Sequence, residues 1–185
     1  SAEWLKEQDD IKGVYNEENQ GFPKGCNQGL EIATGTDLLL LNSDTVVTKN
    51  WLKNLRCALY SSPKVGAVSC VTNCCSNGQQ IETSYKSIED MQAFAAGYNK
   101  SNPMLWEKKT TLVGFCYLFK REIFHKIGFL DEQFSPGNFE DDDYSLRILQ
   151  QGYDLLVCRD TFIHHFGHAS FSKGYDDQDE AEKAR

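Results

Sequence analysis

Four leucines in succession, residues 38–41, run directly into Asn42-Ser43-Asp44. An unbroken apolar run of strand length between turn residues is the pattern of a strand buried on both faces of a sheet. Helices must then cover both faces, which points to a layered α/β architecture. The same run is far short of the roughly 20 apolar residues that a membrane span needs.

The rest of the chain alternates in the same way. Helical character at residues 1–10 leads to a short predicted strand at 11–15. Pro23, with apolar residues at Cys26, Leu30 and Ala33, predicts a helix that starts on proline and stops at Gly35. Apolar residues three and four apart predict a helix over 49–61, ahead of a strand at 65–71. Strand 111–119, helix 121–127, helix 140–151 closed by Gly152, and strands at 153–158 and 161–165 complete the set. The intervening residues 72–110 are polar, with one helix announced by the capping box Ser87-Ile88-Glu89-Asp90, and read as an insertion able to move as a flap. With 185 residues, and about 100–200 per domain, one domain over 1–171 and a polar tail over 172–185 are expected. The sheet is expected to be mainly parallel within a mixed α/β sandwich.

Charge narrows the function. Lys and Arg number 19 against 27 Asp and Glu, a net charge of −8. No basic stripe exists to neutralise a nucleic-acid backbone. The seven cysteines show no CxxC pair, which reads as reduced, intracellular thiols behaving as small hydrophobes. Because the chain opens Ser1-Ala2, without initiator Met or leader pattern, it reads as an excised piece of a longer protein.

Three clusters carry the chemistry. In open α/β sheets, ligands gather beyond the carboxyl ends of the strands, where Asn42-Ser43-Asp44 falls. A carboxylate there suits a hard cation such as Mg2+ or Mn2+, although Asn, Ser and Asp are equally turn residues. The second cluster, Glu140-Asp141-Asp142-Asp143, opens a helix whose dipole favours negative charge. At about 100° per residue, Asp143 shares a face with Arg147 and pairs with it, while Asp141 lies on the sheet-facing stripe of Tyr144 and Ile148. That is the position for a general base, ionised at neutral pH, with Glu140 as its neighbour and weaker candidate. The third cluster, His164-His165-Phe166-Gly167-His168, follows a strand. Adjacent strand residues point to opposite faces, so only one of His164 and His165 can join Asp44 as a ligand. His168 reads as structural.

In order and spacing, these segments resemble the family-2 glycosyltransferases of GT-A fold, in particular the rhamnosyltransferase-like group. The resemblance is carried by Asn19-Gln20-Gly21-Phe22, Gly25-Cys26-Asn27, Asn42-Ser43-Asp44, Leu112-Val113-Gly114-Phe115-Cys116, Gly128-Phe129-Leu130-Asp131-Glu132, Glu140-Asp141-Asp142-Asp143 with Arg147, and His165-Phe166-Gly167-His168. It implies inverting transfer of a sugar from a nucleoside-diphosphate donor to a saccharide or lipid-linked acceptor hydroxyl, with a divalent cation, Mg2+ or Mn2+, as cofactor. Asp44 matches the last acid of the family's DxD metal motif, Asn42 its first position, and Asp141 the acid of its ED motif. His165 matches the family's late histidine, with His164 as the alternative; Gly25 and Asn27 match residues near the donor nucleotide. The family's first strand and early aspartates have no counterpart here. The resemblance further implies polysaccharide or glycoconjugate synthesis in the cytoplasm, with any peripheral contact to the inner membrane face made through segments outside this chain. Two other readings use the same residues: a metal-dependent phosphoesterase or nucleotidyltransferase on Asp44, Asp141 and His165, or a non-catalytic carbohydrate-binding fragment presenting Phe22, Tyr98 and Trp106.

Overall fold

A computed structural model describes residues 2–167. His168 and the tail over 172–185 lie outside the described residues. After α1 (Ala2–Lys6), residues 11–15 form no strand, contrary to expectation. They are exposed, and among the described residues no strand pairs with them. Helix α2 (Phe22–Ile32) begins with proline in its first turn and ends three residues before Gly35.

The central sheet has five strands. β1 (Asp37–Leu41), β3 (Val65–Val71), β4 (Trp106–Lys109), β5 (Cys116–Lys120) and β6 (Asp154–Phe162) lie in the order β1-β5-β3-β6-β4. A two-stranded ribbon of β2 (Thr45–Val46) and β7 (His164–His165) stands beside it. The sheet is mixed, and its parallel share is smaller than the alternation of strands and helices predicts: only β3·β6 is a parallel ladder. The reason is the position of β5. β1, β3 and β6 all run in one direction, as strand–helix–strand connections require, but β5 runs the opposite way and is inserted between β1 and β3. The carboxyl ends of β1, β3 and β6 and the amino end of β5 therefore share one edge.

Helix α3 (Trp51–Leu59) covers one face, packing Leu55, Ala58 and Leu59 on Val68, Cys70, Leu118 and Cys158. The other face carries α2, α4 (Ile88–Tyr98), α5 (Arg121–Ile127) and α6 (Glu140–Gln150) on Leu38, Leu40, Ala67, Phe119 and Val157. Alternate residues of each strand thus feed two cores, as period-two geometry demands. The four-leucine run is the exception to its own prediction. β1 is an edge strand in which Leu38 and Leu40 are buried, Leu39 is half-buried and Leu41 is 37% exposed.

Two further expectations change. The final strands at 153–158 and 161–165 are one long β6 followed by the short β7, with a register irregularity opposite Cys70 and Val71 absorbing the break. Residues 72–110 are no flap. Ser87 caps α4 through the Asp90 N–H, Met91 and Ala95 are fully buried, and β4 closes the sheet edge. The aromatics read as an exposed contact surface are half-buried instead: Tyr98 donates to the Arg159 carbonyl and Trp106 Nε1 to Asp160. All seven cysteines are free, and burial pushes the Cys26 and Cys75 thiols up to about 12. Among the described residues no helix is long and apolar enough to cross a membrane.

Candidate functional site

The shared edge gathers the clusters through one short segment, residues 112–115. A strand was expected to begin at 111, yet β5 starts only at Cys116. In its place, three successive backbone N–H groups donate to side chains: Leu112 to Ser145 Oγ (3.1 Å), Val113 to Gln79 Oε1 (2.9 Å) and Gly114 to Asp141 Oδ2 (2.8 Å). Side chains from α6 and from the loop after β3 thus substitute for a neighbouring strand, satisfying donors that would otherwise be buried unpaired. Asp141 and Ser145 are one helical turn apart and present the same face to this segment. That places Asp141 on the sheet side of α6, on the stripe read from its spacing.

Phe115 carries the link onward. Its carbonyl accepts from the Asn42 N–H (2.9 Å), and its ring stacks on His165 with 5.3 Å between centroids and 20° between planes. His165 Nε2 lies 3.2 Å from Asp44 Oδ1 and 3.4 Å from Asn42 Nδ2. The β2·β7 ladder sets this approach by pairing Thr45 with His165, and the Phe166 N–H donates to the Asp44 carbonyl (2.9 Å). His164 points the other way, with Nδ1 2.6 Å from the Tyr85 hydroxyl and its ring against Phe166. Burial, and then the charge of His165, lower its pKa.

The acids of α6 divide as their spacing predicts. Asp143 and Arg147 form a one-turn ion pair at 2.8 Å. Asp141 is half-buried, and burial raises its pKa against the opposing hydrogen bond from Gly114. Desolvation, rather than the helix dipole or the neighbouring acids, is the largest influence on it. Glu140 is only 6% exposed; burial raises it too, and its Oε2 has no partner.

Two expected donor residues are placed elsewhere. Asn27 is buried and its carboxamide is consumed by a clamp: it donates to the Leu130 carbonyl (2.9 Å) and Glu132 Oε1 (3.1 Å), and accepts from the Leu130 N–H (2.9 Å). The structure thus joins Asn27 to the turn ahead of α6 and not to the Asn42–Asp44–His165 group. Gly25 lies on the exposed side of α2 with open space where a Cβ would stand, so no close approach requires glycine there.

The residues fit a divalent cation. Asn42 Oδ1 is buried with no hydrogen-bond partner, Asp44 offers a carboxylate oxygen, and His165 turns a ring nitrogen toward it. Among the described residues no three His, Cys, Asp or Glu side chains form a complete protein cage. A sparse set of this kind is how Mg2+ is ordinarily held, with substrate phosphates filling the remaining positions. Two surface hollows, one at Tyr98, Lys100 and Arg159 and one along α3 at Leu52, Arg56 and Tyr60, share no residue with this group.

Reading residues by local spacing missed Gly114, Phe115, Asn73 and Cys74 as parts of the site. Gly114 and Phe115 stand in a segment with strand character that also carries the family resemblance, but neither signal gave these two residues a role of their own.

The family model described as glycosyl transferase family 2 matches residues 1–128. Among solved structures, the mannosyltransferase PcManGT from Pyrobaculum calidifontis, in complex with GDP-Man and Mn2+, is 23% identical with a TM-score of 0.57. The match covers 89% of this chain and 41% of that one. GalNAc-T7 with UDP, GalNAc and Mn2+ is 16% identical with a TM-score of 0.65, covering 89% of this chain and 33% of that one. The likeness establishes a GT-A fold, and the chain spans well under half the length of either. A comparison with curated proteins gave no match.

Proposed function

Starting from the fact that this chain belongs to glycosyl transferase family 2, we propose that its site serves inverting transfer of a sugar from a nucleoside-diphosphate donor to an acceptor hydroxyl. The observation that carries the proposal is the 114–115 segment. Its Gly114 N–H holds Asp141, while its Phe115 carbonyl and ring hold Asn42 and His165. A proton acceptor and a diphosphate-binding group are thereby fixed on one rigid edge, as transfer between two bound substrates requires.

Asp141 acts as general base. Its Oδ2 is oriented by Gly114, and burial raises its proton affinity, so it accepts the acceptor hydroxyl's proton more readily than an exposed aspartate. The hydroxyl oxygen attacks the anomeric carbon as the bond to the diphosphate breaks, from the opposite side, with inversion. Asp44 and His165 are the residues to hold a divalent cation, Mg2+ or Mn2+, which when bound supplies positive charge to the departing diphosphate. Asn42 stands beside them, its Nδ2 3.4 Å from His165 Nε2. The Mn2+ and nucleotides named for the two structural relatives support this arrangement. Polysaccharide or glycoconjugate synthesis at the cytoplasmic membrane face, on saccharide or lipid-linked acceptors, is the biological setting we assign.

Asp141→Asn tests the assignment. Product formation from a panel of guanosine- and uridine-diphosphate sugars falls about 10²–10⁴-fold, while calorimetric donor affinity stays unchanged, because a base acts mainly in the transition state. Donor binding lost along with transfer means that Asp141 is misassigned, and hydrolysis without acceptor moves the reading to a phosphoesterase.

A further inference from the structure

His165 is held with more precision than a two-residue strand provides. On one side its backbone pairs with Thr45 of β2. On the other, beyond Val71 where β3 ends, the partner is a side chain: Asn73 Nδ2 donates to the His165 carbonyl (3.0 Å), and Asn73 Oδ1 accepts from the His165 N–H (2.9 Å). A carboxamide carries the same donor and acceptor as a peptide group, so Asn73 replaces one residue of a missing strand. The next residue reaches the ring. The Cys74 carbonyl lies 2.8 Å from His165 Nδ1.

That contact decides the tautomer. A carbonyl only accepts, so Nδ1 carries the hydrogen, and the neutral ring is left with its lone pair on Nε2. This lone pair faces Asp44 Oδ1 at 3.2 Å, which is also an acceptor. Two acceptors at that separation call for a positive charge between them, a proton or a metal ion, and the Asn42 Nδ2 lies 3.4 Å from the same ring nitrogen. Stacking on Phe115 keeps the ring in this plane.

We propose that Asn73 is a positioning residue. By bracketing the His165 backbone it seats the ring on the Cys74 carbonyl, fixes the Nδ1–H tautomer and presents the Nε2 lone pair to Asp44. Its consequence for cation binding rests on the donor-site reading above; the tautomer itself does not. Outer partners of this kind orient metal-binding histidines and typically change metal affinity 10–100-fold when removed.

The test is long-range proton–nitrogen NMR of the ¹⁵N-labelled chain at pH 8, where a free imidazole is neutral, followed by titration with Mn2+ alone. The wild type shows His165 with hydrogen on Nδ1, and Mn2+ broadens the His165 ring signals. Asn73→Ala loses the Nδ1–H tautomer and needs at least about tenfold more Mn2+ for the same broadening. Asn73→Asp, which keeps the acceptor for the His165 N–H but loses the donor, shifts in the same direction and serves if Asn73→Ala does not fold. Hydrogen on Nε2 in the wild type, or an unchanged tautomer in folded variants, overturns the proposal. Tautomers behaving as stated while Mn2+ leaves the wild-type ring untouched supports the Asn73 assignment and overturns the cation reading instead.

Discussion

Phe115 stacks its ring on His165 while its carbonyl holds the Asn42 N–H, so a single buried residue touches both sides of the proposed diphosphate-binding group. Its own neighbour, Gly114, binds Asp141. Residues 114–115 thus join the two halves of the proposed site.

Phe115→Ala removes that link together with a well-packed aromatic. The stability loss is about 3–5 kcal/mol, the usual cost of emptying a buried aromatic position, measured as a shift of the urea midpoint. The conservative Phe115→Tyr retains the stack and loses less.

Asn27→Ala separates the clamp from a donor contact. It leaves the Leu130 N–H and carbonyl without their partners, at about 1–3 kcal/mol for each buried group so exposed. Urea denaturation registers that loss, while calorimetry finds nucleotide affinity unchanged in the folded variant. A loss of affinity without a loss of stability contradicts the clamp.

Much of the site was legible from spacing, and what was missed has a common cause. Helical periodicity separates Asp143, paired with Arg147, from Asp141 on the sheet side, because both relations are set within one turn of α6. Strand alternation likewise states that His164 and His165 face opposite ways, and the structure supplies which one meets Asp44. The Asn27 clamp, the bonds from Gln79, Ser145 and Asp141 to residues 112–114, and the Asn73 bracket on His165 join residues far apart in sequence through side chains and backbone. No local pattern encodes such partners. The edge position of β1 was hidden for a related reason: four leucines read as buried on both faces, but burial depends on a neighbour that periodicity does not name.

Glu140 and Asp141 give the fold a pH dependence of defined sign. Burial raises both above the ordinary carboxylate range. The native state therefore binds protons that the unfolded chain releases, and their contribution is fully present below the unfolded values near about 4. It is lost as pH rises through the raised native values. Glu140→Gln removes one of the two ionisations. The stability of wild type relative to this variant then declines from about pH 4 upward, followed by urea unfolding at a series of pH values; a difference that grows with pH contradicts the buried, unpartnered position of Glu140.

The central claim is that Asn42, Asp44 and His165 form a cation-assisted diphosphate site within these residues. Ligands that bind the native state raise its thermal stability, so the direct measurement is the melting temperature of this chain with Mn2+ alone, with GDP or UDP alone, and with both, beside Asp44→Asn. The expected result is a rise that is largest with metal and nucleotide together and disappears in the variant. A rise that survives Asp44→Asn, or no rise in the wild type, contradicts it.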